Sequence, residues 1–152
     1  MRDINGRPAV ILLAEDDPGD QELTRRAFEE SSFDNKLYIT ADGEETLDYL
    51  HRRGKYSDPK ISPRPDLILL DLNMPKLDGR QVLEQMKTDP ELRRIPVVVL
   101  TTSSQEEDIL LSYDVGCNSF ITKPVDIDKL YSVIQDLGEY WLQIVALPTC
   151  EG

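Results

Sequence analysis

Positive charge is what this 152-residue chain has least of: 17 lysines and arginines stand against 29 aspartates and glutamates, a net charge of −12. That imbalance repels phosphate backbones and argues against direct binding of nucleic acid, while leaving binding through a partner open. Histidine occurs once, at His51, with no companion pattern for catalysis or metal ligation, and reads as a surface residue. The two cysteines, Cys117 and Cys150, form neither a CxxC motif nor a metal-ligand spacing, and read as unpaired thiols in a reducing compartment. Long apolar runs are missing; stretches such as Leu67 to Leu70 and Val97 to Leu100 are far too short to span a bilayer. The polar start from Met1 to Pro8 has no signal-peptide core, so a cytoplasmic protein is expected. No GxxxxGK[ST] loop is present, which removes P-loop nucleotide binding. There is no repeat of fixed period and no low-complexity linker.

What remains is an ordinary soluble composition, 39% hydrophobic and 30% charged, of a length that fits one domain. Such a chain buries a sizeable core without disulfides or a structural metal. Three runs are continuously apolar: Ala9 to Ala14, Leu67 to Leu70 and Pro96 to Leu100. Short non-alternating runs rich in Val, Ile and Leu predict strands buried on both faces, as in a helix-covered parallel sheet. Lys36 to Thr40 and Ser119 to Thr122 are weaker strand candidates. Helical spacing joins Leu23, Ala27 and Phe28, then Leu47 and Leu50, then Val82, Leu83 and Met86. Ser104 to Glu107 reads as a capping box opening a fourth helix. Leu130, Val133, Ile134, Leu137, Trp141 and Ile144 form the stripe of a fifth. Strand followed by helix, five times over, predicts right-handed crossovers and one doubly wound α/β domain, (βα)5, on a five-stranded parallel sheet.

The strand ends carry the chemistry. The first strand ends in Glu15-Asp16-Asp17, the third in Asp71, the fourth in Thr101 followed by Thr102, and the fifth near Lys123-Pro124. Open parallel sheets build their sites at the carboxyl ends of strands, at the topological switch point. Three carboxylates at close quarters repel one another unless a divalent cation intervenes, and an all-oxygen set with room for water and phosphate suits Mg²⁺. Phosphoryl transfer asks mainly for positioning and charge neutralisation, which a cation and a lysine supply. One carboxylate is then the nucleophile, giving an aspartyl phosphate, and Asp71 is the best placed.

Each of these residues has a plainer reading. Glu15, Asp16 and Asp17 suit the start of a helix, where acidic groups favour the dipole. Asp71 suits a turn, Thr101 to Ser104 a helix entry, and Lys123 an ordinary solvated surface. Taken together, the plainer readings leave unexplained why every strand but the second ends in a fitting group.

These segments resemble the receiver domains of bacterial two-component response regulators. The resemblance covers roughly residues 9 to 143, with residues 144–152 as a tail. It rests on Ile11 to Asp17, on Asp71-Leu72-Asn73-Met74-Pro75-Lys76-Leu77-Asp78-Gly79, on Val97 to Thr102 and on Phe120-Ile121-Thr122-Lys123-Pro124, in that order and at those spacings. It implies the flavodoxin-like strand order 2-1-3-4-5, Asp71 as phosphoacceptor, and Mg²⁺ held by Glu15, Asp16, Asp71 and the Asn73 carbonyl. It further implies Lys123 on the phosphoryl oxygens, aimed by a cis bond to Pro124, and a conformational switch through Thr101 and Phe120. Phe120 is equally readable as a plain core aromatic. Two positions depart from the commonest pattern: the acidic pair is Glu-Asp, and Thr102 stands where alanine is frequent, which bears on access and dephosphorylation. Such a domain catalyses only its own phosphorylation and dephosphorylation.

The stretches Arg93 to Ser103 and Tyr140 to Pro148 resemble, more narrowly, the single-domain regulators paired with phytochrome histidine kinases. This implies a light-regulated kinase as phosphodonor, an unknown downstream protein, and a homodimer through helix 4, strand 5, helix 5 and the tail. The crowd of Tyr140, Trp141, Leu142, Ile144, Val145 and Leu147 fits that dimer or a tail folded back on its own domain. The basic, proline-rich segment from His51 to Pro65 reads as an exposed loop tolerant of insertion, with kinase docking the weaker alternative. Two other function classes compete. A haloacid-dehalogenase-type phosphatase also uses a strand-end Asp with Mg²⁺, but needs a second Asp where Asn73 stands, and a cap domain for which there is no room. A pseudo-receiver that never carries phosphate sits poorly with the intact acidic set.

Overall fold

The continuous apolar runs become parallel strands whose alternate residues serve two different helix layers. The computed structural model describes residues 8–31, 34–72, 74, 76–101 and 119–122, Thr101 and 119–122 by their backbone. Five strands are described: β1 (Ala9–Ala14), β2 (Asn35–Thr40), β3 (Leu67–Asp71), β4 (Val97–Thr101) and β5 (Ser119–Thr122). All pair in parallel, in the order β2-β1-β3-β4-β5, which is the expected flavodoxin-like order. Among the described residues three α-helices follow the first three strands in turn: α1 (Pro18–Glu29), α2 (Gly43–His51) and α3 (Gly79–Lys87). The expected fourth and fifth helices, with the capping box at Ser104 and the stripe from Leu130, lie outside the described residues.

Side chains alternate across a strand, so a run apolar at every position feeds two cores. On one face Ala9, Ile11, Leu13, Leu67, Leu69, Val98 and Leu100 pack with Ala27 and Phe28 of α1. On the other, Leu12, Ala14, Ile68, Leu70, Val97 and Val99 pack with Leu47 and Leu50 of α2 and with Val82, Leu83 and Met86 of α3. Strands β2 and β5 are the sheet edges. Most of β2 is only partly buried, which is why its apolar signal is the fainter one.

Each helix start is fixed by an aspartate. Asp17 accepts the Gly19 N–H at 3.1 Å, with Pro18 as first helical residue. Asp42 accepts the Glu45 N–H at 2.7 Å. Asp78 and Gln81 form a reciprocal capping box, both bonds at 3.0 Å.

The segment after α2 is largely exposed, as expected, and is also anchored at both ends. Residues 57–61 are exposed, including Ile61 at 51%, but both flanks are tied down. Tyr49 donates its hydroxyl to the Pro63 carbonyl at 2.8 Å, and the Arg64 guanidinium donates to the Leu50 carbonyl at 3.0 Å. The buried Ser62 hydroxyl donates to the Tyr56 carbonyl at 2.7 Å. The Tyr56 ring packs against Tyr49, and its hydroxyl donates to Glu45. Insertion is therefore expected to be tolerated at 58–61 and not at Tyr56 or Ser62 to Pro65. His51 lies 4.0 Å from Asp89 across the α2–α3 edge.

This tyrosine layer has a pH signature. Burial raises the Tyr49 phenol, with the neighbouring Tyr38 adding to the rise. Burial and the bond to Glu45 raise Tyr56. Burial alone would also raise Glu45, but bonds from Tyr56, the Ala41 N–H and Lys55 outweigh it, and its carboxyl sits below the usual range. Raised phenols favour the protonated native state. Their contribution is complete below the unfolded phenol value of about 10 and is lost as pH rises through the folded values. Glu45, shifted down, contributes above the ordinary carboxylate range and stops doing so as pH falls through its folded value. In an ultraviolet titration, Tyr49 and Tyr56 should ionise only beyond the ordinary phenol range, together with alkaline unfolding. Tyr56→Phe should lift the Glu45 carboxyl toward its ordinary value, readable by carbon NMR.

Candidate cation and phosphoacceptor site

The chain passes from β1 to β2 on one side and then crosses β1 to reach β3 on the other. The carboxyl ends of β1 and β3 therefore flank the point where the winding reverses, where α/β sheets leave a crevice. Glu15 follows β1 directly. Its N–H continues the pairing with β2, donating to the Thr40 carbonyl at 2.9 Å. Its carbonyl accepts the Gln21 side-chain amide at 2.6 Å, and its carboxylate accepts the Asp17 N–H at 3.2 Å. Backbone and side chain are thus both held, and Glu15 is only 1% exposed. Asp16, on the other side of the same turn, is exposed.

Asp71 is the last residue of β3 and 2% exposed. It stands in register with Leu100 of β4, and the next N–H, of Leu72, donates to the Leu100 carbonyl at 3.0 Å. Its backbone is boxed in by α3. A Cβ on Gly79 would lie 2.7 Å from the Asp71 carbonyl oxygen and 2.7 Å from Leu72 Cα, so only glycine allows this approach. Gly79 also donates its N–H to the Leu72 carbonyl at 3.0 Å.

Glu15, Asp16 and Asp71 each bring a carboxylate oxygen to within 4.8 Å of the other two. Two buried carboxylates and one exposed one, with no nitrogen or sulfur donor among them, fit a hard divalent cation approached from solvent on one side. Thr101 ends β4 and is registered against Thr122, the residue before Lys123, while Phe120 is registered against Val99. Thr101 and Phe120 are thus placed by backbone alone. Asn73, Thr102, Lys123 and Pro124 lie outside the described residues.

Some contacts were not anticipated from the residue pattern. Gln21 sits in the first turn of α1, and nothing in its spacing marks it as a support for Glu15. The Asp78–Gln81 capping box was readable as an Asp three residues before Gln, and it fixes where α3, and with it Gly79, abuts the site.

Residues 11–135 match the response regulator receiver domain. The chain belongs to the response regulator receiver family. Among known receivers, it is 44% identical over 148 residues to response regulator Rcp1 of Synechocystis, covering 97% of this chain and 99% of that protein. The crystal structure of the phosphorylated cyanobacterial phytochrome response regulator RcpA is 43% identical, with a TM-score of 0.79 over 94% of this chain and 100% of the other. The Mn²⁺-bound form of Rcp1 is 44% identical, with a TM-score of 0.77 over 93% of this chain and 100% of that one. This receiver is accordingly a signalling domain related to the phytochrome response regulators, in a family where phosphorylation falls on an aspartate.

Proposed function

We propose that this receiver takes a phosphoryl group on Asp71 from a phytochrome histidine kinase, with Mg²⁺ held by Glu15, Asp16, Asp71 and the Asn73 carbonyl. The observation that carries this reading is the convergence of the three carboxylates at the switch point, with one of them ending the central strand. The relatedness to RcpA and Rcp1 supports the phytochrome link, and the Mn²⁺ bound by Rcp1 supports a divalent cation.

In the transfer, an Asp71 carboxylate oxygen attacks the phosphorus of a phosphohistidine. The P–N bond breaks as the P–O bond forms, and the released imidazole nitrogen takes a proton from solvent. Dephosphorylation is attack of water on the same phosphorus, returning the carboxylate and inorganic phosphate. When bound, a divalent cation neutralises the crowded carboxylate and phosphoryl oxygens. The chain supplies the rest. Burial and the boxed backbone fix where Asp71 stands at the end of β3. The Asp17 N–H and Gln21 hold Glu15. Lys123, led by a cis bond to Pro124, pairs with phosphoryl oxygens. Thr101 and Phe120 carry the charge change to the surface, a bistable element biased by added charge. Thr102 sets water access and so the phosphate lifetime.

Under this reading the protein is a cytoplasmic signalling component and not an enzyme acting on other substrates. Among the described residues no helix is long and apolar enough to cross a membrane. The receiver unit is residues 9–143, and residues 144–152 join helix 4, β5 and helix 5 in a homodimer interface. The test is phosphotransfer from a purified phytochrome kinase. Label should pass to the wild type at a rate that changes between red and far-red illumination. A transfer rate indifferent to light, or transfer only from unrelated kinases, would remove the phytochrome assignment. Sedimentation of full-length chain against chain ending at residue 143 reads the tail's part in dimerisation.

A further inference from the structure

The loop from Asp71 to α3 is held from a second direction, by the start of α2. An ideal Cβ on Gly43 would lie 1.9 Å from the Leu77 carbonyl oxygen and 2.5 Å from the Leu77 Cβ, so the two backbones touch with no room for a side chain. Beside this contact, Asp42 divides its two carboxylate oxygens. Oδ1 caps α2 through the Glu45 N–H at 2.7 Å, and Oδ2 meets the Lys76 ammonium at 3.6 Å. Lys76 has φ +68°, a left-handed conformation that a lysine adopts only when its surroundings impose it. The same short loop reaches Gly79, which presses on the Asp71 carbonyl and Leu72 Cα. A line therefore runs from Gly43 across one backbone contact to Leu77, along the chain to Gly79, and across a second backbone contact to Asp71.

We propose that the first turn of α2 is a positioning element for the cation site: Gly43 and the Asp42–Lys76 pair hold the loop leading from Asp71 to Gly79, and so fix where Asp71 stands relative to Glu15 and Asp16. The inference rests on the cation-site reading above. Packed backbones do not deform gradually, so a methyl group at position 43 must shift the loop. The carboxylates then no longer share one point in space, and the cation loses affinity although none of its ligands has changed.

Lys76 gives this idea a distinguishing sign. Removing a cationic side chain from the acidic end of the sheet should tighten cation binding if only charge matters. If Lys76 acts by holding the loop, removing it should weaken binding.

The experiment is calorimetric titration of Mg²⁺, with Mn²⁺ followed by electron paramagnetic resonance, on the full chain and its variants. Thermal melting is measured with and without the cation. Gly43→Ala should raise the dissociation constant by about tenfold, as loss of outer support does in metal sites generally. It should also shrink the gain in melting temperature on adding Mg²⁺. Lys76→Gln, at a largely exposed side chain, should raise the constant by about threefold, the scale of one partly exposed ion pair. Asp42→Asn keeps an oxygen for the helix cap, and its effect should not add to that of Lys76→Gln. Ala27→Gly, in the opposite core layer, should lower the melting temperature and leave the dissociation constant alone. Unchanged affinity in Gly43→Ala, or unchanged or tighter binding in Lys76→Gln, overturns the inference and leaves the site intact. If Gly43→Ala does not fold, Lys76→Gln decides. A wild type that binds neither cation overturns the site reading, and the inference with it.

Discussion

Asp71→Asn is expected to abolish phosphorylation completely while leaving the fold in place. The amide has nearly the size and shape of the carboxylate, so the boxed backbone at Leu72 and Gly79 and the register with Leu100 persist. What disappears is the nucleophile: an amide oxygen carries no full negative charge and forms no stable bond to phosphorus. One of the three carboxylates that converge within 4.8 Å is lost as well, so cation affinity falls by about tenfold or more by the standard of metal-site substitutions. Intact mass after treatment with a small acyl phosphate reads the first effect, and titration with Mg²⁺ the second. An adduct that survives in the variant would assign the chemistry to another carboxylate, with Asp16 the obvious alternative because it is exposed.

Leu70→Ala should produce the largest loss of stability without touching a charged group. Leu70 is fully buried next to Asp71, in a strand flanked on both sides, and packs in the core layer under α2 and α3. Removing its branched end leaves a cavity that strands fixed on both sides cannot close. The expected cost is about 3 kcal/mol, in the usual range for such truncations and a large fraction of a domain's net stability. Chemical denaturation should show a lower midpoint with an unchanged slope. A loss below about 1 kcal/mol would mean that the layer around Leu70 repacks far more easily than a sheet centre allows.

How legible the molecule was depended on whether a feature is local. Strands β1, β3 and β4 announced themselves as continuous apolar runs because both of their faces are covered. Strand β2 gave a fainter signal because it is an edge, where half-burial thins the pattern; β5, the other edge, is a run of only four residues. The polar residues at strand ends were visible because a doubly wound topology says where strand ends meet, and those of β1 and β3 carry Glu15, Asp16 and Asp71. The segment after α2 was legible only in part: its exposure showed in the composition, its anchoring did not. Its composition is that of an exposed loop, and only the fold reveals Tyr49, Leu50 and Glu45 as partners for Pro63, Arg64 and Tyr56. The contact of Gly43 with Leu77 and the grip of Gln21 on Glu15 are likewise meetings of residues whose identity carries no sign of each other. Sequence patterns report burial and local capping; they do not report which backbone another backbone will touch.

The central claim is that the chain accepts a phosphoryl group on an aspartate in a cation-dependent reaction, and one measurement reaches it directly. Wild-type protein is incubated with acetyl phosphate, once with Mg²⁺ and once with a chelator, and its intact mass is recorded in each. The account predicts a single phosphoryl adduct with Mg²⁺ and none with the chelator. An equal adduct in both, or no adduct in either, would contradict it.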